Sequence, residues 1–255
     1  MAHKTLIGGT AYNIISGTSM VSGTTYSISG GRTLIDGTGY NINFASPKTA
    51  MLYSDGSFVF QIGDSVESGK TLTASYTDFE DIFTPPWNGY QYTFTSVNFN
   101  TEIAPTSIAS WFYNASYMIA NISNFNNLNM NNVNSMYSAY YNCSNLTGSP
   151  VCGDNVNSMI SAYSGCSNLT GSPVCGDKVT SMHRTYSGCS NLTGSPVCGN
   201  NVTNMYSTYS GCSNLTGSPV CGDKVTSMAF TYDNCCNLTG SPVCGDNVTN
   251  MYFTY

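Results

Sequence analysis

Charge is scarce in this chain: its 255 residues include seven Lys and Arg and thirteen Asp and Glu, whereas about a quarter of an ordinary domain is charged. Seven cations and a net charge of −6 cannot neutralise a phosphate backbone, which argues against nucleic acid as a partner. Long apolar runs are missing too. None approaches the roughly 18 residues of a membrane span, so no membrane insertion is expected. The opening residues, Met1-Ala2-His3-Lys4, pass into Gly and Thr with no continuous apolar stretch, so no secretory leader is expected either. Only two histidines occur, His3 and His183, and they are isolated. No Ser-His-Asp set, paired carboxylates or phosphate-binding loop can be assembled around them, so neither catalytic nor cofactor-binding residues are nominated. An enzyme is not expected.

Ser, Thr and Asn fill the space, making up more than a third of the chain, while Gln occurs only at Gln61 and Gln91. Nineteen Tyr, eleven Phe and eleven Met still supply enough apolar surface to fold. This polar, weakly charged, Tyr-rich composition suits exterior fibres and adhesins better than enzymes.

The second half is periodic. The string from Cys143 to Met159, C-S-N-L-T-G-S-P-V-C-G-D-N-V-N-S-M, recurs from Cys166, Cys189, Cys212 and Cys235 at intervals of 23 residues. A unit this short cannot bury its own apolar side, so the spacing predicts stacked coils of a solenoid. Fixed columns would form its core: Leu146 to Leu238, Val156 to Val248, Met136 to Met251 and Tyr140 to Tyr255, each in steps of 23. Thr147-Gly-Ser-Pro150 suits a bend before a brief strand at Val151-Cys152. In Thr203 to Gly211, Met205 and Tyr209 stand four apart, the spacing of a short helix closed by glycine.

The pattern from Val202 to Thr216, V-T-N-M-x-x-x-Y-x-x-C-x-N-L-T, resembles the BspA-type leucine-rich repeats of bacterial surface proteins and their phages. Ile122 to Met136 is closer to that family's Leu- and Asn-rich form, Ile108 to Ala115 reads as a divergent turn, and Trp87 after Pro85-Pro86 is similar to the opening segment of such domains. The resemblance spans about residues 80 to 255. The later repeats depart from it, because Gly-Ser-Pro-Val-Cys replaces the family's Leu-x-Leu strand.

A second repeat opens the chain. Gly9-Thr-Ala-Tyr12, Gly23-Thr-Thr-Tyr26 and Gly37-Thr-Gly-Tyr40 lie 14 apart, each between a short apolar pair and an alternating run, which predicts β-hairpins. Modules of this kind look like those at the amino end of phage structural proteins from gut Firmicutes. Alternation at Phe58 to Ile62, Thr71 to Tyr76 and Tyr92 to Val97 predicts a small β-sheet unit next. The expected fold is therefore mainly β in three parts. Residues 1–45 form hairpin repeats, 46–104 the sheet unit, and 105–255 a leucine-rich-type solenoid of 23-residue coils containing short helices.

Eleven cysteines occur, at a C-x8-C spacing within each repeat that, with two histidines, does not build zinc sites. Coils about 5 Å apart would permit disulfides along the stack; without an export signal, buried free thiols are the expectation. Asp154, Asp177, Asp223 and Asp246 read as turn caps rather than as a calcium ladder, which needs several oxygen ligands per coil. Asn145 and its successors open Asn-Leu-Thr, a formal glycosylation acceptor, but an internal asparagine ladder is the expected use.

Binding is what such repeats support. Two adjacent columns vary while their neighbours stay fixed, and they carry the candidate surface: Tyr137, Ile160, His183, Tyr206 and Tyr252 in one, with Arg184, Phe230 and Phe253 in the other. Aromatics and Arg are the types enriched at contact hot spots, and flat rings suit sugar faces. The expected function is non-enzymatic: a phage virion adhesion, receptor-binding or decoration protein on tail or capsid, made in the host cytoplasm. Its residues 1–45 would dock onto other virion proteins, and its solenoid would meet a host surface protein or glycan. The alternatives are a bacterial cell-surface adhesin and an intracellular protein-binding scaffold. An apolar end at Tyr252, Phe253 and Tyr255 adds the expectation of a homo-oligomer or of a chain that continues.

Overall fold

The computed structural model describes residues 4–7, 10–13, 18–21, 24–27, 32–35, 38–41, 47–80, 84–218, 220–240 and 243–254. The chain divides into two compact units, Met1–Ser46 and Pro47–Tyr255. His3, the hairpin glycines Gly9, Gly23 and Gly37, and Tyr255 lie outside the described residues.

The first unit contains three antiparallel pairs: β1 (Lys4–Ile7) with β2 (Thr10–Asn13), β3 (Thr18–Val21) with β4 (Thr24–Ser27), and β5 (Arg32–Ile35) with β6 (Thr38–Asn41). The registers Ile7↔Thr10, Val21↔Thr24 and Ile35↔Thr38 each leave two residues of sequence between the paired ends. Those residues are Gly-Gly, Ser-Gly and Asp-Gly; Gly-Gly and Asp-Gly are among the pairs that two-residue hairpin connections prefer.

The second unit begins with a four-stranded sheet built from β7 (Lys48–Tyr53), β8 (Ser57–Ile62), β9 (Leu72–Tyr76) and β10 (Ser96–Phe99), in the order β10-β8-β7-β9. β10 runs parallel to β8, and the other pairs are antiparallel. Alternation along β7 and β8 sends Ala50, Leu52, Phe58 and Phe60 into the main core, while Met51, Tyr53 and Val59 form a second cluster on the opposite face. Residues 63–70 fold over that second face: the Glu67 amide donates to the Tyr53 hydroxyl (3.1 Å), and the Lys70 ammonium sits 5.1 Å from the Tyr53 ring centre. The main core continues from the sheet into the repeats without interruption. Trp87 packs against Phe58, Phe60, Phe79 and Trp111, and its indole nitrogen donates to the Trp111 carbonyl at 2.8 Å.

Beyond the sheet, regular structure is sparse. A parallel pair joins β11 (Ala120–Asn121) to β12 (Leu146–Thr147), and single parallel bridges link Ser107, Ser135, Ser158, Ser181, Asn204, Ser227 and Asn250 in turn. Each repeat is thus held to the next by its backbone. Met182, Arg184, Tyr186 and Gly188 donate to the carbonyls of Asn204, Tyr206, Thr208 and Ser210, at 2.7–2.9 Å. The intervening amides of Thr185, Ser187 and Cys189 close turns onto Met182, Arg184 and Tyr186, at 3.0–3.3 Å.

This alternation corrects two local expectations. Thr203 to Gly211 is a run of turns and not a helix, and among the described residues the helices are two short 3₁₀ turns at Gln91–Thr93 and Ile122–Asn124. Ser207 (φ 50°) and Gly211 (φ 77°) are left-handed, which interrupts the helical path and aims every other amide at the neighbouring repeat. Val151-Cys152 forms no strand, and bridging in this column is seen between Val220 and Val243. The proline before each valine has no N–H to give, and the Tyr163 hydroxyl takes both the N–H (3.1 Å) and the carbonyl (2.8 Å) of Val151. The chain is mainly β with few helices.

The Leu, Val, Met and Tyr columns are fully buried through the central repeats. Tyr140, Tyr163, Tyr186, Tyr209 and Tyr232 stack at 5.2–5.9 Å with planes within 6°. Leu192 lies wholly inside this interior. Leu192→Ala should therefore cost about 2–5 kcal/mol; a urea-melt difference below about 1 kcal/mol would place that column at the solvent.

Candidate functional site

The turn run of each repeat holds two adjacent variable positions, buried where they carry Ser138, Ser207 or Ala229, and these columns hold the residues nominated from the sequence. His183 stacks on Tyr206 in the next repeat (5.0 Å, 19°), Tyr206 meets Phe230 edge-on (5.7 Å), and Phe230 meets both Tyr252 (5.6 Å) and Phe253 (5.7 Å). The Arg184 guanidinium carbon lies 5.8 Å from the Tyr206 ring centre. Six of the eight nominated residues thus form one continuous strip. Its far end is the most open, with Tyr252 65% and Phe253 58% exposed. Tyr137 is exposed and Ile160 half-buried, in the two preceding repeats of the same column. Desolvation, followed by the Arg184 charge, holds the His183 imidazole below its ordinary pKa.

The backbone adds something the sequence did not reveal. Ser138, Ser161, Arg184, Ser207, Phe230 and Phe253 all have φ between 47° and 56°. Any residue but glycine is uncommon at this left-handed position, and a bulky side chain there is a genuine outlier. Its cost is about 1–3 kcal/mol. Arg184, Phe230 and Phe253 accept that strain and project into the strip.

A second ring pair, of exposed Tyr113 and half-buried Tyr141, was not nominated from the sequence. Tyr113 and Tyr141 stack at 5.0 Å and 10°. The available signal was that Tyr141 sits in a column otherwise filled by Ser164, Ser187, Ser210 and Asp233.

No metal-binding cluster occurs among the described residues. The thiols of Cys166, Cys189, Cys212 and Cys235 each donate to the carbonyl of the tyrosine in the preceding repeat, at 3.0 Å. All eleven cysteines are free, and Cys236 alone is exposed. The four Asp residues of the row are exposed. The Asn-Leu-Thr ladder reaches backbone at its start, where half-buried Asn145 donates to the Ser116 carbonyl at 2.8 Å, and is external beyond it: Asn214 donates to Asn191, and Asn191 to Asn168, through exposed side chains 3.5 Å apart. The reason is that Leu points inward at the middle of Asn-Leu-Thr, which turns the flanking residues to solvent.

Residues 184–211 match the family model of a Kazal-type serine protease inhibitor domain. No curated protein and no solved structure matches the chain. The family match covers little more than one repeat, and its two cysteines, Cys189 and Cys198, are free. A unit of that size usually needs disulfides or metal to fold alone. Here the segment is instead part of the shared core.

Burial pushes the Cys152 thiol up to about 11 and those of Cys175 and Cys235 up to about 12, with backbone hydrogen bonds offsetting part of the rise. Cys166, Cys189 and Cys212, and Tyr163, Tyr186 and Tyr209, shift the same way, with burial again the largest cause. A raised folded-state pKa means that this contribution to stability is complete below the unfolded thiol value, roughly 8.5, and is lost as pH climbs past it. The urea midpoint should fall steadily between about pH 8.5 and pH 11. Iodoacetamide at pH 8 should label Cys236 first and the buried thiols only after unfolding. A flat midpoint, or rapid labelling of Cys189 in the native protein, would refute the buried-thiol column.

Proposed function

We propose that the repeats form a leucine-rich-type solenoid of the BspA kind, and that the protein is a non-enzymatic adhesion or decoration component of a phage virion. Residues 1–45 dock onto other virion proteins, and the strip from His183 to Phe253 meets a host surface protein or glycan. The observation that carries this reading is the strained column. Serine fills the left-handed position at Ser138, Ser161 and Ser207, yet Arg184, Phe230 and Phe253 hold it at φ 47–56°. The exchange puts two rings and a cation, residue types of contact surfaces, at a left-handed position that resists bulk; the rings pack on one another, yet Phe253 still stands 58% exposed. A bacterial cell-surface adhesin would use the same strip, so location separates the two readings.

Changing Arg184, Phe230 and Phe253 together to Ser restores the column's common residue. Thermal stability should hold or rise slightly, and adhesion of the purified protein to its host cells should fall at least tenfold. Retained adhesion in a folded triple variant refutes the strip as the contact surface. Gold-labelled antibody on phage particles should decorate tail or capsid; label confined to the bacterial wall would favour the adhesin.

A further inference from the structure

Three buried tyrosines end on the same kind of partner. The hydroxyl of Tyr163 donates to the Val151 carbonyl (2.8 Å) and accepts its N–H (3.1 Å). Tyr186 does the same with Val174 (2.7 and 3.1 Å), and Tyr209 with Val197 (2.6 and 3.1 Å). In every case the hydroxyl takes both backbone groups of the residue twelve positions earlier.

Tyr140 stacks on Tyr163 at 5.2 Å with planes 5° apart, so its hydroxyl occupies the equivalent place one rung earlier. That hydroxyl is fully buried and has no hydrogen-bond partner. The residue twelve positions before it is Leu128, whose amide donates to Phe125 (2.9 Å) and which bridges Ile103 on the other side. The backbone is diverted here. Nine positions separate Asn121 from Met130, where six separate their counterparts Thr147 and Gly153, and the excess is taken up around the 3₁₀ turn at Ile122–Asn124. A cleft of about 420 Å³ opens between this detour and the next repeat, lined by Ile122, Phe125, Leu128, Met130, Pro150 and Val151, with Tyr140 in its wall. Mainly apolar walls with few polar groups are usual for a ligand pocket, for which volumes of roughly 300–1,000 Å³ are typical.

We infer that this cleft binds an extended peptide with a Pro-Val-type pair, the valine's N–H and C=O meeting the Tyr140 hydroxyl as Val151 meets Tyr163. The later repeats supply this Ser-Pro-Val segment from their own chain, so the chemistry of the occupant is written in the sequence. Phe125 and Leu128, both nearly buried, must part to admit it, which sets a modest affinity. The site is separate from the aromatic strip and does not depend on its role.

The probe is the blocked hexapeptide Gly-Ser-Pro-Val-Ser-Gly, titrated against the full chain by calorimetry. Saturable binding is expected, weakened at least tenfold by Tyr140→Phe, which removes both hydrogen bonds to the valine, and lost when the valine amide is N-methylated. Tyr140→Phe should melt no lower than the parent, because it removes an unpaired hydroxyl, whereas Tyr186→Phe should melt lower. Equal peptide binding by the parent and Tyr140→Phe would overturn the inference. So would a Tyr140→Phe melting loss as large as that of Tyr186→Phe, which would show the hydroxyl already paired. A parent dimer that Tyr140→Phe dissociates would assign the seat to a second copy and overturn the free-peptide reading.

Discussion

Alternate amides in each turn run are divided between two uses, and the rest of the second unit follows from that division. One amide closes its own turn, and the next donates to a carbonyl 22 residues further along the chain, as Arg184 does to Tyr206 at 2.9 Å. Such bonds are each worth only about 0.5–1.5 kcal/mol net, but an unpaired buried amide costs more. A shift of one residue between repeats would exchange the two sets of amides and break both. The register is fixed for that reason, and side chains of one type fall into line.

Those lines then add their own interactions. Tyrosine planes stack within 6° because each ring repeats its neighbour's position. Thiols and hydroxyls reach the carbonyls that the alternation leaves accessible: Cys189 donates to Tyr163 at 3.0 Å and Thr185 to Met159 at 2.8 Å. On the exterior the same register would set like charges one rung apart. The residue immediately before each valine of the column avoids this by alternating Asn155, Lys178, Asn201, Lys224, Asn247. Lys178 donates to Asn155 and Lys224 to Asn201, both at 2.6 Å, and the Asn201 amide reaches the Asp177 carbonyl at 2.8 Å. Two ammonium groups on adjacent rungs would repel, so this column follows a period of two repeats where the interior follows one.

The interior was legible in the sequence because burial selects residue type, and Leu192, Val202, Met205 and Tyr209 recur in every copy. The path between them was not. Met205 and Tyr209 stand four apart in a helix and in a pair of turns alike, and the difference rests on the φ of Ser207, a residue that signals no left-handed preference. The same blindness hid the strain at Phe230, which in sequence is only one more variable position. Nor does local alternation at Phe58 to Ile62 reveal that Trp87 crosses to Trp111 and joins sheet and repeats in one core; that contact is long-range. The ring strip was readable as a variable column, though not as an end-to-end chain of contacts.

A register this strict also decides where novelty can enter. Any inward position is coupled to copies on both sides, so changing Tyr186 alone would disturb the stacks with both Tyr163 and Tyr209. Outward positions also touch their neighbours, as His183 touches Tyr206, but solvent on one side lets the residue type change from repeat to repeat, and variation is concentrated there, at His183, Arg184 and Phe230. The first repeat is the exception, because its partner is the sheet-joined segment and not another copy. There the chain departs from the 23-residue period, the tyrosine hydroxyl has no backbone partner, and a cleft stands beside the Pro-Val segment of the next repeat. The scaffold thus offers candidate sites in two kinds of place: on the variable outer columns of the regular repeats, and at the junction where the period is broken.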